Sequence, residues 1–357
     1  YRNNIGVSVE KVFDSIIIGG GQSGLVTGYY LQQHQLDFLI LDANKEIGGS
    51  WQHYWDSVAL FSTVKYSSLD GYPIQADADY YPNRYDMVEY LQQYQAHFDL
   101  PLINNAKVST IHKNDYFNVL TDDGNCYKAK TIISATGAFT KPHIPNIKGQ
   151  ASFKGEQIHS YSYHKPDKYQ GQRVVVVGSN NSAIQIAYEL SRVADVSLAV
   201  RKKIKFAPMQ RFGKDIFFYL HDTGFDMLPI GCMFELCISD SVYDDGRYQQ
   251  AVKNGNPDAR AMFIEITETG VIWADGQAEA VDTILYATGF SPSNKPYLSN
   301  LGALDNHGKP KHHQGVSKTI KGLFYVGLEG QIAPASATLR GVSRDARVIA
   351  EKVKASL

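Results

Sequence analysis

Short apolar runs with no period-two alternation recur along the chain: VFDSIII at 12–18, DFLILD at 37–42, RVVVV at 173–177 and DVSLAV at 195–200. Such runs predict strands buried on both faces, as in parallel sheets covered by helices. After the first and third, a glycine turn leads into helical segments, LVTGYYLQQH from Leu25 and AIQIAYELSRV from Ala183. The order strand, turn, helix, strand occurs twice and predicts an α/β chain with two parallel-sheet units. Further strands are expected in TIISATG at 131–137, TILYATGF at 283–290 and GLFYVG at 322–327, the last leading to a closing helix SRDARVIAEKVKA. Residues 51–85, aromatic and without either period, are expected to cover the core or to line a pocket.

The two turns carry the candidate chemistry. Gly19, Gly21 and Gly24 follow the first strand at the spacing G-x-G-x-x-G. The first permits a tight turn, the second lets the backbone approach a pyrophosphate, and the third lets helix and strand pack closely, while the helix start attracts phosphate. Asp42, 18 residues past Gly24, ends the next strand where a carboxylate can accept hydrogen bonds from a ribose diol. The second turn places Gly178, Asn180 and Ala183 at the three positions. Ala is an accepted third residue, and Asn180 is expected to keep the turn because asparagine tolerates positive φ. Ser182 lies in the same turn, and Arg201, 18 residues past Ala183, replaces the acid and is followed by Lys202 and Lys203. A base there suits a 2′-phosphate; the alternative is a solvated basic strand end. The first turn is therefore expected to take FAD and the second NADPH, with NADH as a weaker second choice because Asn180 loosens the phosphate grip. Both turns are of the Rossmann-like, dinucleotide-binding kind.

Residues 1–145 and 290–357 are expected to form a discontinuous FAD unit into which 146–289 inserts as the NAD(P)H unit, with Pro142, Pro145, Pro292 and Pro296 at the junctions. A length of 357 residues suits two domains. A net charge of −1 offers no footprint for nucleic acid or an anionic membrane. The chain contains no apolar run of ~18–20 residues and no signal-like start, so a soluble, cytoplasmic protein is expected. Cys126, Cys232 and Cys237 do not form a disulfide framework, although the Cys232–Cys237 spacing leaves a redox role open. No metal cluster is expected, and a homodimer is the default assembly.

FKGEQIHSYSY at 153–163 matches F-x-G-x-x-x-H-x-x-x-[YF] through Phe153, Gly155, His159 and Tyr163, and lies between the two turns. With GGSWQHYW, YPNR, ATGF and SATLRGVSRDA, it makes the chain resemble short bacterial flavin-containing monooxygenases of class B over nearly its whole length. That resemblance implies a cycle in which NADPH reduces FAD, oxygen adds at flavin C4a, and the hydroperoxide passes one oxygen to a small-molecule soft nucleophile: a sulfide, an amine or, less often, a ketone. It implies that Gly19, Gly21, Gln22, Gly24 and Asp42, with Gly49, Trp51 and Gln52 and the helix start at Thr338 and Leu339, hold FAD. It gives Gly178, Asn180, Ser182, Arg201 and Lys202 to NADPH, and makes His159 a linker residue rather than a catalyst. Two features depart from the family. LFSTVKYSSLDGYP lacks the asparagine that supports the hydroperoxide in many members, and Tyr163 precedes His164 rather than the ending of the Baeyer–Villiger fingerprint. An NAD(P)H oxidase or reductase on the same fold, or a nucleotide-sensing flavoprotein, are the competing readings.

Overall fold

The structure, a computed structural model, describes residues 11–139, 141–231, 241–291 and 295–357. Cys232, Cys237 and Pro292 lie outside the described residues. Two parallel sheets dominate. In the first, β1 (Val12–Ile18) lies between β2 (Phe38–Leu41) and β6 (Cys126–Ser134), with β3 (Leu102–Ile103) beyond β2 and the strand Leu323–Tyr325 beyond β6. An antiparallel hairpin, β4 (Val108–Lys113) and β5 (Phe117–Thr121), joins the edge of β6. In the second sheet, β8 (Arg173–Val177) lies between β9 (Asp195–Val200) and the strand Thr283–Tyr286, flanked by Asp258–Ala261 and by β7 (Glu156–His159).

The continuous apolar runs are explained by helices on the sheet faces. Helix α1 (Gln22–Gln33) and the closing helix Leu339–Ser356 pack together over the first sheet. The latter buries Leu339, Val342, Ala346, Ile349, Ala350 and Val353, a three-and-four spacing that forms one apolar stripe. It starts four residues before the segment SRDARVIAEKVKA and at the Thr338–Leu339 start that the family resemblance implied, where Thr338 caps it by accepting the Gly341 N–H at 3.2 Å. Helix α3 (Asn181–Leu190) covers the second sheet through Ala183, Ile184, Ile186, Ala187 and Leu190. Helix α2 (Arg84–Phe98) was not anticipated. Its signal is the capping box Asn83–Asp86: the Asn83 side chain accepts the Asp86 N–H, and Asp86 accepts the Asn83 N–H at 2.8 Å.

The two strands of chain that pass between the sheets run side by side. Phe290 bridges Pro142, the His143 N–H donates to the Gly289 carbonyl at 2.9 Å, and the Ser291 N–H donates to the Lys141 carbonyl at 2.9 Å. Both crossings are thereby locked into one short antiparallel ribbon.

Candidate active site

A cavity of about 820 Å3 opens at the carboxyl end of β1 and crosses from one sheet unit to the other. Gly19, Gly21, Gln22, Asp42, Gly49, Trp51, Thr338 and Leu339 all line it. Gly19 has φ +108°, and a Cβ there would lie 2.6 Å from the Ala135 carbonyl oxygen. Gly24 is set back from the cavity, where a Cβ would fall 1.8 Å from the Gly19 carbonyl oxygen. It closes the strand against the helix. Gly21 is extended, with φ −79° and ψ −172°, and faces Gly49, so that both backbones stay open to the cavity.

Asp42, 5% exposed, is pinned by the N–H groups of Gly20 and of Asn44, the latter at 2.7 Å. Gln22 ties together three segments of wall: its side-chain oxygen accepts the Trp51 indole N–H at 3.2 Å, and its amide nitrogen donates to the Ala337 carbonyl at 2.8 Å. Gln52 does not face the cavity; its amide nitrogen donates to the Glu46 carbonyl at 2.9 Å and braces the Gly48 turn. The start of the closing helix opens on the cavity through Thr338 and Leu339, presenting the positive end of its dipole.

Sequence reasoning named few of the remaining walls. Trp55, Val58, Leu60, Phe61, Ser62 and Tyr66, from the stretch without periodicity, form the apolar side, and Phe217 joins them. The aromatic richness of 51–85 pointed to pocket lining for this stretch, without naming the residues. Asn181 and Gln185 of α3 also border the cavity, bringing the second unit into its wall. Asn181 is fixed by accepting the Tyr243 N–H at 3.0 Å.

The second turn needs a correction. Asn180 does not adopt positive φ: it has φ −100° and ψ −176°, nearly the conformation of Gly21. The second position of this turn is extended in both copies, so it requires room for an approaching ligand rather than glycine's backbone freedom. Asn180 is exposed and its side chain makes no capping bond. Gly178 does need its freedom, with φ +147° and a would-be Cβ 2.6 Å from the Ala287 carbonyl oxygen and 2.9 Å from the Ala183 methyl. Gly178, Asn180, Ser182, Arg201 and Lys202 lie outside the cavity. Gly178 follows β8 and Arg201 follows β9, so they share the carboxyl edge of adjacent parallel strands, where Arg201 and Lys202 are exposed.

The F-x-G motif builds β7 and its anchors. Phe153 packs over Gly155, where a Cβ would meet the Asp282 carbonyl oxygen at 2.4 Å, and buried Tyr163 donates its hydroxyl proton to Glu189 at 2.8 Å. His159 Nδ1 accepts the Tyr161 N–H at 3.1 Å, so Nε2 carries the proton and donates to the Gly289 carbonyl at 2.9 Å. His159 thus holds the crossing ribbon to the second sheet. Burial lowers its pKa from 6.5, partly offset by the Gly289 bond. The unfolded imidazole therefore takes up a proton at higher pH than the folded one. The stability associated with this site is complete above about pH 6.5 and is lost as pH falls. His159→Gln is expected to flatten the decline in Tm between about pH 7 and about pH 5.5, measured by thermal melts; an unchanged slope would remove the assignment. His53 and His312 are lowered by burial as well, so part of the slope survives.

Two glycine turns on separate parallel sheets, with the helix after the second turn reaching the cavity beside the first through Asn181 and Gln185, define the two-nucleotide flavoprotein class of oxidoreductase. A family model described as pyridine nucleotide-disulphide oxidoreductase matches residues 16–213. The chain is 34% identical to an uncharacterized oxidoreductase, CzcO-like, of Geobacillus kaustophilus strain HTA426, covering 96% of this chain and 98% of the relative. A solved flavin-containing monooxygenase from Stenotrophomonas maltophilia superposes with a TM-score of 0.82 at 32% identity, over 97% of this chain and 99% of that one. Senecionine N-oxygenase of Tyria jacobaeae is 25% identical over 87% of this chain and 66% of its own length. The chain belongs to the pyridine nucleotide-disulphide oxidoreductase family, and over nearly its whole length it is similar to flavin monooxygenases, which use FAD, NADPH and oxygen. No helix among the described residues is long and apolar enough to cross a membrane.

Proposed function

We propose that residues 1–145 with 290–357 hold FAD, that 146–289 present NADPH to it, and that the enzyme transfers one oxygen atom to a soft nucleophile, a sulfide or an amine. The observation that carries this reading is the shared wall: Asn181 and Gln185 of the second unit line the same cavity as Gly21, Trp51 and Thr338. FAD fits the residues present. The backbones of Gly21 and Gly49 leave a cradle that side chains would fill, Asp42 stands at one end of it, and a helix start stands at the other. When bound, the flavin supplies the redox and oxygen-activating chemistry.

The chain's own residues bind, orient and exclude water. Asp42 would accept from a ribose hydroxyl, and Gly19 and Gly21 would let the pyrophosphate approach the N-terminus of α1. The start of the closing helix at Leu339 would place the positive end of its dipole toward negative charge on a bound flavin. Trp55, Leu60, Phe61, Tyr66 and Phe217 keep the reacting end apolar and dry. The N-oxygenase among the relatives supports nitrogen as one acceptor.

The oxidase alternative is favoured by the absence of a carboxamide in the wall formed by residues 58–66, which offers Ser62 and Tyr66 instead. Substrate-dependent NADPH consumption across a panel of sulfides and amines, with peroxide measured in parallel, decides between them. Oxygenated product matching the NADPH consumed is the expected result. Stoichiometric peroxide with every substrate would establish the oxidase, and failure of NADPH to bleach the flavin under anaerobic conditions would leave a sensor.

A further inference from the structure

The full charges among the described residues lining the cavity are Asp42, Lys107, Glu329 and Arg340. Asp42 belongs to the nucleotide end, Lys107 pairs with Asp122 at 2.8 Å on the surface, and Glu329 is exposed. Arg340 differs from the others. It lies one residue past Leu339 beside the apolar wall, its side chain is 12% exposed, and it is paired with Asp226, whose side chain is 8% exposed.

Asp226 is held in place by its own segment: its carbonyl accepts the Ala335 N–H at 2.9 Å, and Arg344, one turn further along the helix, donates to the adjacent Met227 carbonyl. The second oxygen of Asp226 has no hydrogen-bond partner among the described residues. Tyr66 is the other group acting electrostatically on Arg340, and its ring packs at 5.5 Å from the imidazole of His221. Among the described residues, the pair therefore leaves the aromatic chamber without an uncompensated charge. A charge brought into such a chamber is disfavoured unless a partner meets it.

We propose that the buried Arg340–Asp226 pair sets the charge selectivity of the reaction chamber, restricting it to uncharged soft nucleophiles and excluding both carboxylate-bearing and ammonium-bearing ones. This deepens the monooxygenase reading and rests on it for turnover, although the selectivity itself is a property of binding. Thioethers meet the requirement at neutral pH, whereas an alkylamine must first lose its proton. The pair was not legible in the sequence, since Asp226 and Arg340 are 114 positions apart.

The test uses three probes with the same methylthio group: methyl p-tolyl sulfide, p-(methylthio)benzoate and p-(methylthio)benzylammonium. Dissociation constants come from flavin absorbance titrations of the oxidised holoenzyme at neutral pH, and kcat/KM values from sulfoxide formation. The neutral thioether is expected to bind about tenfold or more tightly than either charged probe. In Asp226→Asn, with Arg340 unmasked, the benzoate should gain about tenfold relative to the neutral probe while the ammonium loses further ground.

Movement of the two charged probes in opposite directions is a signature that a packing defect would not produce. Arg340→Gln, which unmasks Asp226 instead, should shift the two charged probes in the reverse sense, the ammonium gaining and the benzoate losing, and serves if Asp226→Asn does not fold. Equal affinity of the wild type for all three probes, or a parallel shift of both charged probes in Asp226→Asn, overturns the proposal. The binding order holding while only peroxide forms would defeat oxygen transfer and leave the charge selectivity standing; sulfoxide forming equally from all three probes would do the reverse.

Discussion

Gly24→Val is expected to purify without flavin, with visible flavin absorbance per protein reduced by about tenfold or more. The reason lies in what a side chain would meet. A Cβ at Gly24 falls 1.8 Å from the Gly19 carbonyl oxygen and 3.0 Å from its carbon, and both are backbone atoms. No rotamer change relieves such a contact, and Gly19 cannot retreat because it is already folded at φ +108° against Ala135. Helix α1 must therefore move away from β1, opening the cradle and the core together. Gly21→Ala is the informative companion. Its Cβ meets only the Gly49 Cα at 3.5 Å, an ordinary contact, so Tm should be retained while flavin affinity falls. A yellow Gly24→Val protein with wild-type Tm would refute the assignment of the first turn.

Arg201→Ala is expected to lower kcat/KM for NADPH by about 1–3 kcal/mol, roughly 5–150-fold, and to leave NADH nearly unchanged. Arg201 and Lys202 are exposed at the carboxyl edge of β9, beside the turn at Gly178. Arg201 has no structural partner among the described residues, and its effect should be confined to a ligand carrying a second phosphate. The corrected geometry of Asn180 sharpens the expectation. Because its backbone matches that of Gly21, any deficit in phosphate binding comes from side-chain bulk, and Asn180→Gly should lower KM for both nucleotides by the same factor. Steady-state kinetics with each cofactor measures both effects. Equal losses for NADPH and NADH in Arg201→Ala would remove the 2′-phosphate assignment.

The parts of this fold visible in the sequence were those with local causes. Val12–Ile18 and Arg173–Val177 coincide with their apolar runs, since Ile16–Ile18 and Val174–Val177 are buried and a glycine turn ends each strand directly afterwards. Gly19, Gly24 and Gly178 were assigned correctly to tight turning and close packing because glycine is dictated there by backbone contact. What stayed hidden depends on distant pairing or on side chains in irregular chain. Gln52 matches a family block yet turns away from the cavity, because the Glu46 carbonyl is the nearer partner. The Gln22 link between Trp51 and Ala337 spans 315 positions on one side. No periodicity records such a contact. The wall formed by Trp55, Phe61 and Tyr66 arises from chain that follows neither a helix nor a strand rule, so only its aromatic content was readable.

The place of Asn181 and Gln185 in the cavity wall bears on engineering. On the proposed division of the chain, the inserted unit is not a detachable module for nucleotide preference. Exchanging residues 146–289 for those of a relative would also import two new side chains into the reaction chamber, so a graft chosen to alter cofactor choice would change product profile at the same time. Separating the two properties calls for point changes at the outer strand edge near Arg201, with the first turn of α3 kept intact.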